Sequence, residues 1–172
     1  MARNIEIKAK IEDTKSFIDK MKNITNKEPL ILDQKDTYFN CPNGRLKLRE
    51  EPPEHSELIF YQRGNDLTPK LSTYKRLQKL DPAFIELLTE AYGVKVIVKK
   101  RRYVFFIDQT RIHVDEVEQL GMFIEFEVVL KDDQTVEDGQ IIAKDLLTKL
   151  DISEKSLISN SYSDLLLSQN NE

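Results

Sequence analysis

The sequence has few of the residues on which several common classes of protein depend. Its 172 residues include one cysteine, Cys41, so an intramolecular disulfide framework and a zinc site with two cysteine ligands are both excluded. The five glycines occur at isolated positions, and none belongs to a Gly-x-x-x-x-Gly-Lys or Gly-x-Gly-x-x-Gly motif. This argues against a glycine-rich loop that binds phosphate through its backbone. Any anion site must therefore be built from charged side chains.

Long apolar runs and a large excess of one charge are also absent. Charged residues interrupt every hydrophobic run before it reaches the roughly 18 residues that cross a bilayer, and the amino terminus lacks the apolar stretch of a secretory signal. The formal net charge of -4 at pH 7 gives no general attraction to nucleic acid or anionic membrane. We therefore predict a cytoplasmic protein that binds neither nucleic acid nor membrane, folded as a single domain over residues 1–172.

Strict alternation of charged and aliphatic residues predicts β-strands. At residues 5–12, isoleucine and alanine side chains occupy one face, and glutamate and lysine side chains occupy the other. Similar patterns predict eight strands in all, at residues 5–12, 30–39, 45–49, 57–63, 70–76, 94–107, 111–117 and 122–130. Capping residues predict helices at about 14–23, 82–93, 135–150 and 156–167. Because the connections between strands are short, we expect an α+β fold: an eight-stranded, mostly antiparallel closed β-barrel with flanking helices.

The charges on these strands are grouped by sign. Basic residues alternate at 45, 47 and 49 and again at 99 and 101, whereas Glu125 and Glu127 share a face of the last strand. Like charges two residues apart on one face repel each other unless a counter-charge lies between them, and a bound ligand could supply it. The alternative is that the aliphatic faces pack on a core and the charged faces are simply solvated.

A triphosphate with a divalent cation would match both groups of charge. Arginines fork onto phosphate oxygens and lysines act as point charges, so the candidate triphosphate ligands are Lys8, Lys10, Lys47, Arg49, Arg63, Lys75, Lys99, Arg101 and Arg111. Mg²⁺ takes oxygen ligands, usually one or two carboxylates together with phosphates and water. The candidate metal ligands, for Mg²⁺ or Mn²⁺, are Glu6, Glu125, Glu127 and Asp115.

Several short motifs occur in an order and at spacings that are typical of one family. They are Asn4-Ile-Glu-Ile-Lys8, similar to an amino-terminal Glu-x-Glu-x-Lys signature, Asp36-Thr-Tyr-Phe39, Leu46-Lys-Leu-Arg-Glu50, Ile97-Val-Lys-Lys-Arg101 for a Val-x-Lys-x-Arg element, Phe123-Ile-Glu-Phe-Glu127 and Ser161-Tyr162. The set resembles the CYTH superfamily of triphosphate tunnel metalloenzymes, and more closely its class IV adenylate cyclase-like branch.

This resemblance implies a tunnel in which glutamates of the first and last strands hold Mg²⁺ or Mn²⁺ and basic residues hold the triphosphate. Members of the family process ATP, thiamine triphosphate, inorganic tripolyphosphate or RNA ends. We expect a monomer or homodimer that converts ATP to cyclic AMP and pyrophosphate, with Lys8, Arg49 and Arg101 at the reacting phosphates. A triphosphate hydrolase and a non-catalytic triphosphate-binding protein are the alternatives.

The first-strand motif departs from the family signature. Either Asn4 stands for the first glutamate or, two residues further along, Lys8 stands for the second. We favour the Asn4 register, because an amide oxygen can bind a divalent cation whereas a lysine would repel it.

Overall fold

The computed structural model describes residues 2–53, 55–63 and 70–170, without the side chains of residues 2, 63 and 70. Eight strands form one closed barrel in the order β1-β5-β4-β3-β2-β6-β7-β8, and each pairs antiparallel with its neighbours. They are β1 (Ala2–Ile11), β2 (Leu30–Phe39), β3 (Arg45–Glu51), β4 (His55–Arg63), β5 (Lys70–Gln78), β6 (Val94–Ile107), β7 (Thr110–Val117) and β8 (Gly121–Val129). The predicted fold is confirmed.

The barrel is charged inside and aliphatic outside. On β1, Ile5, Ile7 and Ala9 are buried in a cluster that lies on the outer face of the wall, whereas Glu6 and Lys8 line the interior. Strands β7 and β8 repeat this arrangement, so the aliphatic faces that the sequence predicts are the faces that helices cover. The charged faces enclose a cavity.

Helices α1 (Thr14–Thr25) and α3 (Val136–Lys149) cover the outer face of β1, β7 and β8. Asp13 caps α1, and its Met21 is fully buried among the aliphatic residues of the wall. In α3, a Cβ added to Gly139 would lie 2.5 Å from atoms of both Ile5 and Leu130. Glycine at this position therefore allows α3 to approach the barrel closely.

Helix α2 (Pro82–Tyr92) covers another side of the barrel, where its Leu88 packs with Phe39 and Leu48. The Asp81 side chain accepts a hydrogen bond from the Ala83 amide at 2.8 Å, and the helix ends at Gly93, whose φ is 69°. Both ends are where the sequence predicts them.

Helix α4 (Tyr162–Gln169) lies against one end of the barrel. The prediction of a helix over 156–167 is wrong at its start, because Ser161 and Asp164 form a capping box that begins the helix at residue 162. The preceding residues instead bond to β1, with the Ile158 amide donating to the Lys8 carbonyl at 2.9 Å. Arg45 of β3 fastens α4 through a 2.7 Å ion pair with Asp164. None of the described helices is long and apolar enough to span a bilayer.

Candidate functional site

The barrel encloses a cavity of about 340 Å³, which we call the tunnel. Inward side chains of all eight strands line it, and Ser161 and Tyr162 contribute from the start of α4. Tyr162 is buried beneath the ring of contacts that α4 makes, and the Lys8 ammonium lies 4.1 Å from the centre of its ring. At the other end the lining residues Leu30 and Phe106 are exposed. The tunnel is therefore covered at the α4 end and accessible at the Leu30 and Phe106 end.

One side of the tunnel concentrates positive charge around a single carboxylate. Asp36 accepts hydrogen bonds from Lys47 at 3.1 Å, from Arg49 at 2.8 Å to each oxygen, and from Lys100 at 2.9 Å. We call Lys47, Arg49 and Lys100 the basic wall. Because one carboxylate is shared by three cations, the basic wall keeps an excess of positive charge toward the tunnel, in surroundings where water screens it little.

Burial and mutual repulsion perturb the ionisation of these groups. Burial alone would raise the pKa of Asp36, but the charges of Arg49, Lys100 and Lys47 outweigh it and hold that pKa well below its ordinary value. Burial lowers the pKa of Lys100 to about 7, because the attraction of Asp36 only partly offsets it and the neighbouring cations act in the same direction as burial. The charge of Lys100 is therefore sensitive to pH near neutrality.

The opposite side of the tunnel concentrates negative charge. Glu6, Glu125 and Glu127 each offer a carboxylate oxygen, and these oxygens all lie within 4.8 Å of one another. We call these three glutamates the acidic wall. Pairing of β1 with β8 sets Glu6 directly opposite Glu127, which is why residues so far apart in sequence converge. Arg111 of β7 donates to Glu127 at 2.8 Å.

The residues of the acidic wall fit a divalent cation. Three converging carboxylates repel one another, and hard cations such as Mg²⁺ and Mn²⁺ prefer oxygen donors of this kind. On β1, the side-chain oxygen of Asn4 is buried and has no hydrogen-bond partner among the described residues. A buried amide oxygen without a partner is destabilising unless a ligand or water completes it.

Asp115 does not join the three glutamates, contrary to the prediction that it is a metal ligand candidate beside them. It accepts two hydrogen bonds from Arg102, at 2.8 and 2.7 Å, and one from the Tyr162 hydroxyl at 2.7 Å. Burial opposes its ionisation, but the Arg102 charge prevails and lowers the pKa of Asp115. Its carboxylate is thus occupied in holding Arg102, whose guanidinium also reaches Glu125 at 3.5 Å.

His113 lies between Arg111 and Asp115 on the inward face of β7. Burial and the positive charge of Arg102 lower the pKa of His113 to about 4, although the surrounding carboxylates oppose the shift. The imidazole is therefore neutral at physiological pH.

The predicted site residues divide into two sets. Those that line the tunnel are Glu6, Lys8, Lys47, Arg49, Arg111, Glu125 and Glu127. Lys10 and Lys75 are exposed and do not line it, and neither do Lys99 and Arg101. The side chain of Arg63 lies outside the described residues. On β1, the inward positions are Asn4, Glu6 and Lys8, and this favours the Asn4 register of the signature.

The assignment of Lys99 and Arg101 to the tunnel is wrong by one residue. Lys100 and Arg102 point inward, while Arg101 points outward and pairs with Asp33 at 2.8 and 3.0 Å, with both side chains more than half exposed. A shift of one residue moves every side chain of a strand to the other face. The Val-x-Lys-x-Arg element fits literally when it begins at Val98 rather than Ile97, and this signal could have identified the inward residues.

Sequence reasoning also missed the partners that fix the predicted residues. Asp36 and Tyr162 occur in the recognised motifs, but no pattern indicates that one holds three cations or that the other binds Asp115. Arg76 of β5, which lines the tunnel and lies 3.8 Å from Glu57, was missed because its neighbour Lys75 was preferred. Alternation starting from the inward Tyr74 would have selected it.

A closed antiparallel barrel with an interior of opposed basic and acidic walls defines a class of tunnel protein. The CYTH domain family matches residues 2–162, and the chain belongs to that family. This confirms the resemblance to the CYTH superfamily.

Three relatives illustrate the similarity. Adenylate cyclase CyaB of Aeromonas hydrophila is 24% identical over 170 residues, which cover 94% of this chain and 87% of that protein. The structure of the PH1012 protein from Pyrococcus horikoshii has a TM-score of 0.81 at 22% identity, covering 94% of this chain and 98% of the other. An adenylyl cyclase-like protein from Hippeastrum, whose structure is described as revealing a dominant triphosphatase activity, has a TM-score of 0.61 at 14% identity, covering 100% of this chain and 97% of the other.

Proposed function

We propose that this protein is a divalent-cation-dependent enzyme that acts on a nucleotide or another small triphosphate bound in the tunnel, with a reaction like that of class IV adenylate cyclase. The observation that carries this proposal is the opposition of the two walls. Lys47, Arg49 and Lys100 face an enclosed space whose other side carries three convergent glutamates. A polyanion and a divalent cation together complement that arrangement, whereas neither ion alone does.

The basic wall would bind the phosphate chain. Arg49 presents two donors to Asp36 and can present remaining donors to phosphate oxygens, and Lys47 and Lys100 add point charges beside it. Because Asp36 already fixes all three side chains, little side-chain entropy would be lost when the anion binds. Lys8 would reach the phosphates from the α4 end, held by the Tyr162 ring. Arg101 has no part in this proposal, since it lies outside the tunnel.

The acidic wall would hold Mg²⁺ or Mn²⁺ through Glu6, Glu125 and Glu127. When bound, such an ion supplies polarisation of phosphoryl oxygens and neutralises charge that develops on them. Arg111 and Arg102 orient the glutamates through their contacts with Glu127 and Glu125. Enclosure by the barrel limits the access of bulk water and so strengthens every one of these interactions.

Triphosphate hydrolysis is the second candidate, and the likeness to the Hippeastrum protein with its dominant triphosphatase activity favours it. Both reactions need the same binding tunnel and differ in the nucleophile. In a cyclase the ribose 3′-hydroxyl attacks the α-phosphorus and pyrophosphate leaves; in a hydrolase water attacks the terminal phosphorus and orthophosphate leaves.

A substrate panel tests the proposal. Purified protein is incubated with Mg²⁺ or Mn²⁺ and, in separate reactions, ATP, thiamine triphosphate and tripolyphosphate, and the products are resolved. Cyclic AMP with pyrophosphate supports the cyclase, and orthophosphate supports the hydrolase. The Glu125→Gln, Glu127→Gln double variant controls for contaminating enzymes, because its activity should be lost. If nothing turns over but tripolyphosphate raises the melting temperature, the protein binds triphosphates without catalysis.

A further inference from the structure

The accessible end of the tunnel differs from its interior, because one side of it is apolar. On β2 the inward residues Leu30 and Leu32 precede Gln34 and Asp36, and on β6 Val104 and Phe106 follow Lys100 and Arg102. We call Leu30, Leu32, Val104 and Phe106 the apolar wall. Leu30 is paired directly with Val104, so the two strands bring these side chains side by side.

Two of these side chains are unusually exposed for their size. Leu30 is 55% exposed and Phe106 is 60% exposed, although both belong to the inward-facing rows of their strands. By contrast Phe105, on the covered outer face, is 2% exposed. Apolar side chains left uncovered at the entrance of a cavity are typical of a surface that a ligand covers.

The position of the apolar wall relative to the cations limits what that ligand can be. Successive inward residues of a strand lie about 7 Å apart, so Val104 follows the cationic Arg102 by one step along β6. A group joined to the last phosphate of a chain held by the basic wall therefore reaches the apolar wall. The facing strands β4 and β5 present polar residues at this end, including His55, Glu57 and Gln78.

From this arrangement we propose that the apolar wall binds a flat aromatic heterocycle covalently attached to the triphosphate, so that the substrate class is an organic triphosphate rather than inorganic tripolyphosphate. This inference rests on the proposed binding of a triphosphate in the tunnel. A heterocycle has apolar faces and a polar edge, and it would set one face against Phe106 and Leu30 while its edge meets the polar side of the entrance.

Binding measured by titration calorimetry tests this proposal. EDTA is included so that no divalent-dependent turnover occurs. The ligands are inorganic tripolyphosphate, methyl triphosphate and ATP, which share the phosphate chain but differ in the attached group. Wild-type protein should bind ATP about tenfold more tightly than methyl triphosphate, since covering part of a phenylalanine and a leucine side chain supports an effect of that order.

The double variant Leu30→Ser, Phe106→Ser should remove this tenfold preference and leave the affinity for methyl triphosphate unchanged. The matched control is Leu77→Ser with Leu87→Ser, because these leucines are 54% and 62% exposed but lie outside the tunnel. The control should keep the preference for ATP, and thermal melting would verify that both variants are folded.

The possible outcomes separate this inference from the proposed function. Equal affinity of the wild type for ATP and methyl triphosphate would overturn the inference alone, as would an equal loss of both affinities in the Leu30→Ser, Phe106→Ser variant. Failure of all three ligands, tripolyphosphate included, to bind the wild type would overturn the proposed function and this inference with it.

Discussion

The basic wall and the acidic wall solve the same problem of enclosed charge in different ways. In the basic wall, three cations from β3 and β6 share Asp36, so positive charge is left over. In the acidic wall, three glutamates of β1 and β8 face two arginines, and the contacts at 2.8 and 3.5 Å join Arg111 to Glu127 and Arg102 to Glu125. Each wall is stabilised from within but not neutralised, which keeps it available to a ligand of opposite sign.

The comparison teaches where folding ends and binding begins. Burying a charge costs several kcal/mol unless it is paired, so an enclosed site must carry internal counter-ions if the protein is to fold without its ligand. Asp36 and Asp115 serve that purpose here, and both are almost fully buried. The surplus charge on each wall then gives a metal-bound triphosphate its complement.

The largest effect is expected from removing charge from the acidic wall. Glu125→Gln with Glu127→Gln leaves one of the three convergent carboxylates and should weaken Mn²⁺ binding at least about 100-fold, because the oxygen donors lose their charge. Calorimetric titration with Mn²⁺ measures this. Glu118→Gln, an exposed glutamate of similar sequence position, is the control and should bind Mn²⁺ as the wild type does. Unchanged affinity in the double variant would mean that the acidic wall is not the metal site.

The next largest effect concerns the junction of the two walls, where Arg102 neutralises Asp115. Arg102→Met leaves a buried carboxylate without its bidentate partner and should lower the free energy of unfolding by about 3–5 kcal/mol. Adding Asp115→Asn should recover part of that loss, because the uncompensated charge is then gone. Urea unfolding monitored by circular dichroism measures both variants. An Arg102→Met protein as stable as the wild type would show that this pair does not stabilise the fold.

Neighbouring lysines on opposite faces of β6 should differ in their effect on anion binding. Lys100→Met removes a cation of the basic wall and should lower the affinity for tripolyphosphate about tenfold or more, since a charged hydrogen bond is worth about 1.5–3 kcal/mol. Lys99→Met, one residue away but outside the tunnel, should leave it within about twofold. Isothermal titration compares them. Equal losses in the two variants would contradict the assignment of the inward face.

The smallest effect is a proton that accompanies anion binding. The pKa of Lys100 is lowered to about 7 in the free protein, mainly by burial, and a nearby polyanion raises it again. Above pH 7 the free protein must therefore gain a proton at Lys100 when it binds tripolyphosphate, so affinity falls as pH rises.

Calorimetry at pH 8 in buffers of different ionisation enthalpy measures this proton uptake. Lys100→Met should take up close to one proton less than the wild type, because a methionine cannot titrate. The protonation of tripolyphosphate itself is common to both proteins and cancels in the comparison. Identical proton uptake in the two proteins would falsify the assignment to Lys100.

Much of this structure could be predicted from the sequence, for reasons that differ from element to element. Strand β6 and helix α2 were predicted within a residue of their observed ends, because alternation over many residues and an Asp-Pro start are strong local signals. Helix α4 was placed too early, since the hydrogen bond from Ile158 to β1 is a tertiary contact that no local pattern reveals. Seven of the predicted site residues do line the tunnel, and their roles there remain predictions.

The sequence by itself determined the alternation of the strands and the grouping of like charges, because side-chain direction along a strand depends only on a period of two residues. Only the tertiary structure decided which face is enclosed. Closure of the barrel turns the charged faces inward and brings Lys100 to Asp36 across 64 positions and Glu6 to Glu127 across the β1 and β8 pair. It also decided between Arg101 and Arg102, because a register difference of one residue, which the local sequence tolerates, reverses the face on which each side chain lies.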